Sequence, residues 1–169
     1  MFYKDKTVAV IGGGNTALSS ALFLAEVCRE VIIIHRKKYL RAEKIYIEKI
    51  NNYKNITFMP EYEPVNFIGG ERIEMLELLN KNTSESKTIK CDGVFVCIGY
   101  LPNTQEILQY IKTDENGYIV AGEDTKTNID GVFAAGDVRS KPLHQIVTAV
   151  CDGAVAATQA KKYIEDSVM

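Results

Sequence analysis

The chain has 169 residues, with 20 basic against 22 acidic side chains and a formal charge of −2. Apolar residues make up 46% and charged residues 25%, the composition of an ordinary globular protein, which argues against a disordered tail or a disulfide scaffold. The near-neutral charge gives no electrostatic basis for nucleic acid or a membrane surface as partner, and no apolar run approaches the ~20 residues of a membrane span. Cys28, Cys91, Cys97 and Cys151 form no C-x-x-C pair, and two histidines add no metal-ligand spacing. They read as isolated reduced thiols of a cytoplasmic protein. Residues 1–6 lead straight into a strand-like run, without a secretory pattern.

Residues 7–11, Thr-Val-Ala-Val-Ile, are a β-branched run of the kind buried on both faces of a parallel sheet. Gly12-Gly13-Gly14 breaks it. Residues 15–28 follow as a predicted helix, with Ala17, Leu18, Ala21, Leu22, Ala25 and Cys28 at helical spacing. Residues 31–34, Val-Ile-Ile-Ile, predict a second strand, and a parallel pair joined by a helix is a right-handed βαβ unit. A second amphipathic helix is predicted over 41–53, then a strand over 56–59. The period changes after that. Residues 65–68 and 73–78 around Gly69-Gly70 read as a hairpin, 81–86 as a polar loop and 87–90 as a third antiparallel strand. Residues 93–98 return to a continuous apolar run, a parallel core strand ending at Gly99. A turn over 101–104 marks a module boundary. Beyond it come a short helix, a turn at Asn116-Gly117, strands over 118–120 and 131–135, and a long helix over about 143–164. The predicted fold is α/β: a Rossmann-like three-layer parallel sheet with an antiparallel β-meander in residues 1–100, then a strand–helix segment in residues 101–169.

Gly12-x-Gly14-x-x-Ala17 sits between a buried strand and a helix start, where a dinucleotide-binding turn must sit. The first glycine permits the tight turn, the second lets backbone approach a pyrophosphate, and Ala17 lets the helix pack closely on the strand. The helix N-terminus, opening on Asn15-Thr16, offers N–H groups and a partial positive charge to the phosphates. An NAD-preferring site places Asp or Glu at the end of the second strand, against the ribose 2′-hydroxyl. Here that strand ends in His35-Arg36-Lys37-Lys38, and Arg41 follows. Guanidinium and ammonium groups match a 2′-phosphate, so the expected ligand is NADP(H). A structural origin for these cations is disfavoured, because at a helix start they would oppose the dipole. The place of His35 on the adenosine side argues for packing or phosphate contact rather than catalysis.

VAVIGGGNTA over 8–17, HRKKYLRAEK over 35–44, Val96-Cys97-Ile98-Gly99, Pro102-Asn103-Thr104, TNIDGVFAAGDV over 127–138 and His144-Gln145 together resemble the low-molecular-weight thioredoxin reductases and their flavoprotein relatives. The motifs occur in family order over nearly the whole chain. The resemblance implies that residues 1–100 are an NADPH-binding domain, with Ile98 and Gly99 in its cofactor site. Residues 101–169 would be the C-terminal part of an incomplete FAD domain. It also implies that Gly136 and Asp137 meet the ribityl chain of FAD. His144, Gln145 and Ile146, opening the last helix, would then face the isoalloxazine, whose reduced form the helix dipole stabilises. Two positions depart from the pattern: Lys37 stands where a second arginine is frequent, and His144 where arginine is frequent.

By the same resemblance the whole protein passes a hydride from NADPH to FAD, and the electrons then open a disulfide substrate such as thioredoxin. The family's C-x-x-C dithiol and its FAD glycine turn are missing from these 169 residues, so the chain is expected to be the second half of a reductase. No residue in it is assigned a catalytic role; alone, it is expected to bind NADPH with little turnover. Two readings stay beside this one: a fragment of a ferredoxin- or flavodoxin-NADP reductase, and a stand-alone nucleotide-binding module without redox activity. The apolar 131–135 run and the apolar face of the last helix predict self-association or a homodimer.

Overall fold

The β-branched runs at 7–11 and 30–35 are apolar on both sides because each serves two cores. In the computed structural model, which describes residues 2–168, β1 (Thr7–Ile11), β2 (Glu30–His35), β3 (Ile56–Pro60) and β7 (Gly93–Val96) form a parallel sheet in the order β3-β2-β1-β7. Side chains alternate across a strand. Val8, Val10, Val31 and Ile33 therefore share one core with α1 (Asn15–Ala25) and α2 (Lys44–Ile50). Ala9, Ile11, Ile32 and Ile34 share the other with Leu76 and Leu78. Those two leucines belong to a separate antiparallel sheet, β4 (Tyr62–Gly69), β5 (Ile73–Asn80) and β6 (Ser86–Lys90), in the order β4-β5-β6. Helices, parallel sheet and meander are thus the three layers.

Element ends differ from the sequence expectation for local reasons. α1 stops at Ala25 because the amides of Glu26 and Val27 turn back to the carbonyls of Phe23 and Leu24, three residues earlier. Cys28 stays buried in the core all the same. α2 begins at Lys44 rather than 41, since the Arg41 N–H donates to the Gly13 carbonyl (2.7 Å) and the Glu43 N–H to Asn15 Oδ1 (2.8 Å). The cations from Arg36 to Arg41 therefore precede the helix. The dipole argument drawn from the sequence does not apply to them.

Contacts divide the chain into two compact units, Met1–Gly99 and Tyr100–Met169. The second unit carries α3 (Ile146–Val168) and a 3-10 turn at Gly136–Val138. Strands expected over 118–120 and 131–135 are reduced to isolated bridges, Ile119 with Thr113 and Arg139, and Phe133 with Lys126. A ladder needs consecutive partners, and among the described residues these segments have none. The short helix expected after Thr104 is a set of turns, closed by Ile107 N–H to the Thr104 carbonyl and Tyr110 N–H to the Ile107 carbonyl. α3 opens at Ile146 rather than 143 because the Gln145 N–H donates to Thr148 Oγ1 (3.1 Å), a link from a side chain inside the first turn back to the residue before it.

Charge, not sheet, organises this unit. Arg139 Nη1 pairs with Asp152 Oδ1 (2.5 Å), and its Nη2 donates to the carbonyls of Gly122 (2.6 Å) and Ala121 (3.2 Å). Lys141 Nζ (2.8 Å) and the Gly136 N–H (3.0 Å) both reach Asp152 Oδ2. Arg139 and Asp152 are only 4% and 8% exposed, so the network links α3 to two separate loops from within. Among the described residues no helix is long and apolar enough to cross a membrane, and no His/Cys/Asp/Glu group could hold a metal ion.

Candidate functional site

β2 and β3 lie on one side of β1 and β7 on the other, so the chain reverses its direction of sheet growth between β1 and β7. In open α/β sheets ligands bind outside the carboxyl ends of the strands at such a switch point. The first unit has a cavity of about 510 Å³ there. Its walls are the end of β1 with the glycine turn (residues 11–16), the end of β2 (Ile34, His35, Arg36) with Arg41, the start of β4 (Tyr62, Glu63, Pro64), and residues 97–99 after β7.

The glycines divide the work. Gly12 has φ +145°, and a Cβ there would strike the Cys97 carbonyl and approach the Ala17 Cβ. Its N–H donates to the Ile34 carbonyl (2.9 Å), which anchors the turn to β2. Gly13, which the motif leaves unspecified, lies against the His35 ring, where a Cβ would come within 2.6 Å of Nε2. Gly14 is different. It is extended (φ −98°, ψ −176°), with nothing within 4 Å of where its Cβ would be. No neighbour in the chain requires it to be glycine, whereas a ligand brought against the backbone would.

Gly14 is also the N-cap of α1, and no side chain caps that end. The first-turn amides are left as donors at the positive end of the dipole. Thr16 lines the cavity beside them, while Ala17 is fully buried beneath. Asn15 also lines it, but its amide is engaged: Nδ2 donates to Glu43 Oε1 (2.7 Å).

His35 is 5% exposed, and its Nε2 has no hydrogen-bond partner. Burial first, and then the charges of Arg41, Arg36 and Lys37, hold the imidazole below its ordinary value. The folded chain thus holds the neutral ring to lower pH than the unfolded chain, which takes up a proton below pH about 6.5. Stability from this residue is therefore complete above that pH and falls as acid is added. Thermal melts at pH 5.5 and 7.5 are expected to differ more for the wild type than for His35→Gln.

Arg36 and Arg41 line the cavity, whereas the exposed Lys37 is not among its lining residues. Ile98 and Gly99 complete the far wall, and Ile98 is largely exposed. The sequence motifs did not reveal two contributors to the lining, Gly13 and the β4 stretch Tyr62-Glu63-Pro64, nor Glu43, which stands behind it bonded to Asn15. Only a glycine run hinted at the first. The others depend on parts of the chain distant in sequence: Glu43 meets Asn15 across 28 residues, and the start of β4 lies beside the glycine turn.

The remaining candidate residues lie in the second unit. Gly136 has φ +81° and opens the 3-10 turn carrying Asp137, whose side chain is exposed. His144 packs on Tyr118 with ring centroids 5.3 Å apart, and its Nε2 lies 3.3 Å from the Arg139 carbonyl. Gln145 and Ile146 are exposed at the start of α3. A smaller cavity of about 200 Å³ in this unit is lined by residues of 126–133 and 159–166, away from this group.

Comparison with known proteins agrees with this architecture. The profile of the family described as pyridine nucleotide-disulphide oxidoreductase matches residues 3–153. A Clostridium pasteurianum protein described as a 34.2 kDa protein in the rubredoxin operon is 43% identical over 96% of this chain and 53% of its own length. Thioredoxin reductase of Peptoclostridium acidaminophilum is 41% identical over 97% of this chain and 54% of its own. The crystal structure of Lactococcus lactis thioredoxin reductase superposes with a TM-score of 0.80 at 35% identity, covering 98% of this chain and 55% of that one. The chain spans about half the length of the curated relatives it matches. Three layers, a glycine turn at the switch point and these matches agree: the chain belongs to the pyridine nucleotide-disulphide oxidoreductase family, on its thioredoxin-reductase-like branch.

Proposed function

We propose that residues 1–100 are the NADP(H)-binding portion of a cytoplasmic thioredoxin-reductase-like flavoprotein, and that residues 101–169 belong to its FAD-binding portion. The observation that carries the nucleotide reading is Gly14: an ordinary backbone conformation, open space at Cβ, and an uncapped helix end behind it. The residues fit a dinucleotide. The first-turn amides of α1 take the pyrophosphate. Arg36 and Arg41, with Lys37 near them, take the 2′-phosphate. Ile98 and Gly99 offer an open surface where the chain leaves the sheet.

NADPH bound there would supply the hydride. In the whole protein the acceptor would be FAD, held in part by Gly136, Asp137 and the start of α3 with His144, Gln145 and Ile146. The substrate would be a disulfide protein such as thioredoxin. The exposed apolar stripe of α3 (Ile146, Val147, Val150) would be covered by the rest of the flavin domain or by a second chain.

Titration of the chain with NADPH and NADH, followed by nicotinamide fluorescence, tests the reading. NADPH is expected to bind at least about tenfold more tightly. Arg36→Ala and Arg41→Ala are each expected to weaken NADPH by about 1.5–3 kcal/mol, the worth of a charge-assisted hydrogen bond, and to leave NADH nearly unchanged. Equal affinity for the two nucleotides in the wild type would sink it.

A further inference from the structure

The basic stretch between β2 and α2 is exposed. Among the described residues, none of Arg36, Lys37, Lys38 and Arg41 makes an ion pair. Four like charges within six residues repel one another, so this segment needs an anchor to hold a shape. It has one at each end. At the start, His35 lies buried against Gly13. At the far end the Arg41 N–H donates to the Gly13 carbonyl (2.7 Å). Two residues later Asn15 and Glu43 bond reciprocally, the Asn15 amide to Glu43 Oε1 (2.7 Å) and the Glu43 N–H to Asn15 Oδ1 (2.8 Å).

Resting on the nucleotide reading above, we infer that the Asn15–Glu43 pair is a clasp that sets the preference of this site for 2′-phosphorylated nucleotides, with Glu43 as a positioning residue. The clasp has two effects. It ties the cationic segment to the phosphate turn, so that the groups meeting the 2′-phosphate and the groups meeting the pyrophosphate move as one body. It also occupies the Glu43 carboxylate. Released, that anion stands two residues from Arg41 and competes with the 2′-phosphate for the same cations.

The two alternatives for Glu43 predict opposite signs. If it acts only through its charge, removing the carboxylate strengthens binding of a 2′-phosphate. If it acts as a clasp, removing the side chain weakens that binding although a negative charge has been lost. The test measures the affinity ratio of 2′-phospho-ADP-ribose to ADP-ribose by calorimetry on the chain. Glu43→Ala is expected to lower the ratio about fivefold, the worth of one ordinary hydrogen bond. Glu43→Gln keeps an oxygen for the Asn15 amide to donate to, and is expected to hold the ratio at or above the wild-type value. Amide exchange over residues 36–43 is expected to quicken in Glu43→Ala and not in Glu43→Gln, a readout that needs no ligand.

A ratio unchanged or raised in Glu43→Ala overturns the clasp while leaving the nucleotide reading intact. A wild-type chain that does not distinguish the two ligands overturns the nucleotide reading and the clasp with it.

Discussion

Gly12→Ala is expected to lose nucleotide binding and to fold less stably, whereas Gly14→Ala is expected to fold nearly as well as the wild type and still bind poorly. At Gly12 the backbone has φ +145°, which L-residues rarely adopt, and the new methyl would drive into the Cys97 carbonyl and press on Ala17. The conformational strain costs about 1–3 kcal/mol, and overpacking a tight contact adds a similar amount, about 1–3 kcal/mol. Relief requires the turn to move away from residue 97, and the first-turn amides of α1 move with it.

At Gly14 none of this holds. The backbone is ordinary and the space is open, so the change in stability stays within about 1 kcal/mol, the difference between glycine and alanine at an N-cap. The methyl would stand where the turn presents its backbone to a ligand. Urea unfolding and an NADPH titration on the two variants separate the effects. A Gly14→Ala chain that binds NADPH like the wild type would remove the main support for a dinucleotide at this turn.

Asp152→Ala is expected to destabilise the second unit by about 3–5 kcal/mol, the cost of stranding a buried charge. Arg139 would keep its two carbonyl acceptors but lose the Asp152 carboxylate, and Lys141 and the Gly136 N–H would lose it too. Replacing Arg139 by Met together with Asp152 by Leu is expected to cost less than Asp152→Leu alone, because the Arg139 charge is then not stranded, while Lys141 and the Gly136 N–H still lose their acceptor.

The acid limb of stability reports the same network. Burial pushes the Asp152 carboxyl up, but the Lys141 and Gly136 hydrogen bonds and the Arg139 charge outweigh it and bring it below the usual 3.8. A depressed carboxyl contributes its full stability above its unfolded value and loses it as the pH falls through the folded one. Hydrogen exchange along α3 between pH 5 and pH 3 is expected to show protection fading in the wild type and already reduced at pH 5 in Asp152→Ala.

What was legible in the sequence was local. The β-branched runs at 7–11 and 31–34, the change of period after residue 60, and the glycine run at 12–14 each announce their structure within a few residues. The three-layer first unit follows from them. The second unit was less legible. Its 118–120 and 131–135 segments have the composition of strands, yet a strand exists only where a neighbour offers a ladder, and composition carries no information about neighbours. Sequence motifs gave Gly12 and Gly14 separate roles, tight turn and close approach, but carried nothing about the neighbours each would meet.

Only the tertiary structure supplied those neighbours, by bringing Cys97 against Gly12 and leaving Gly14 bare. It alone placed the His35 ring on Gly13, and joined Asn15 to Glu43 across 28 residues. It alone closed Arg139 and Lys141 on Asp152. Propensity and periodicity are properties of a short stretch of chain, which is why the elements could be read in order. A clasp, an open glycine and a buried ion pair arise from parts of the chain that meet only once the sheet has formed.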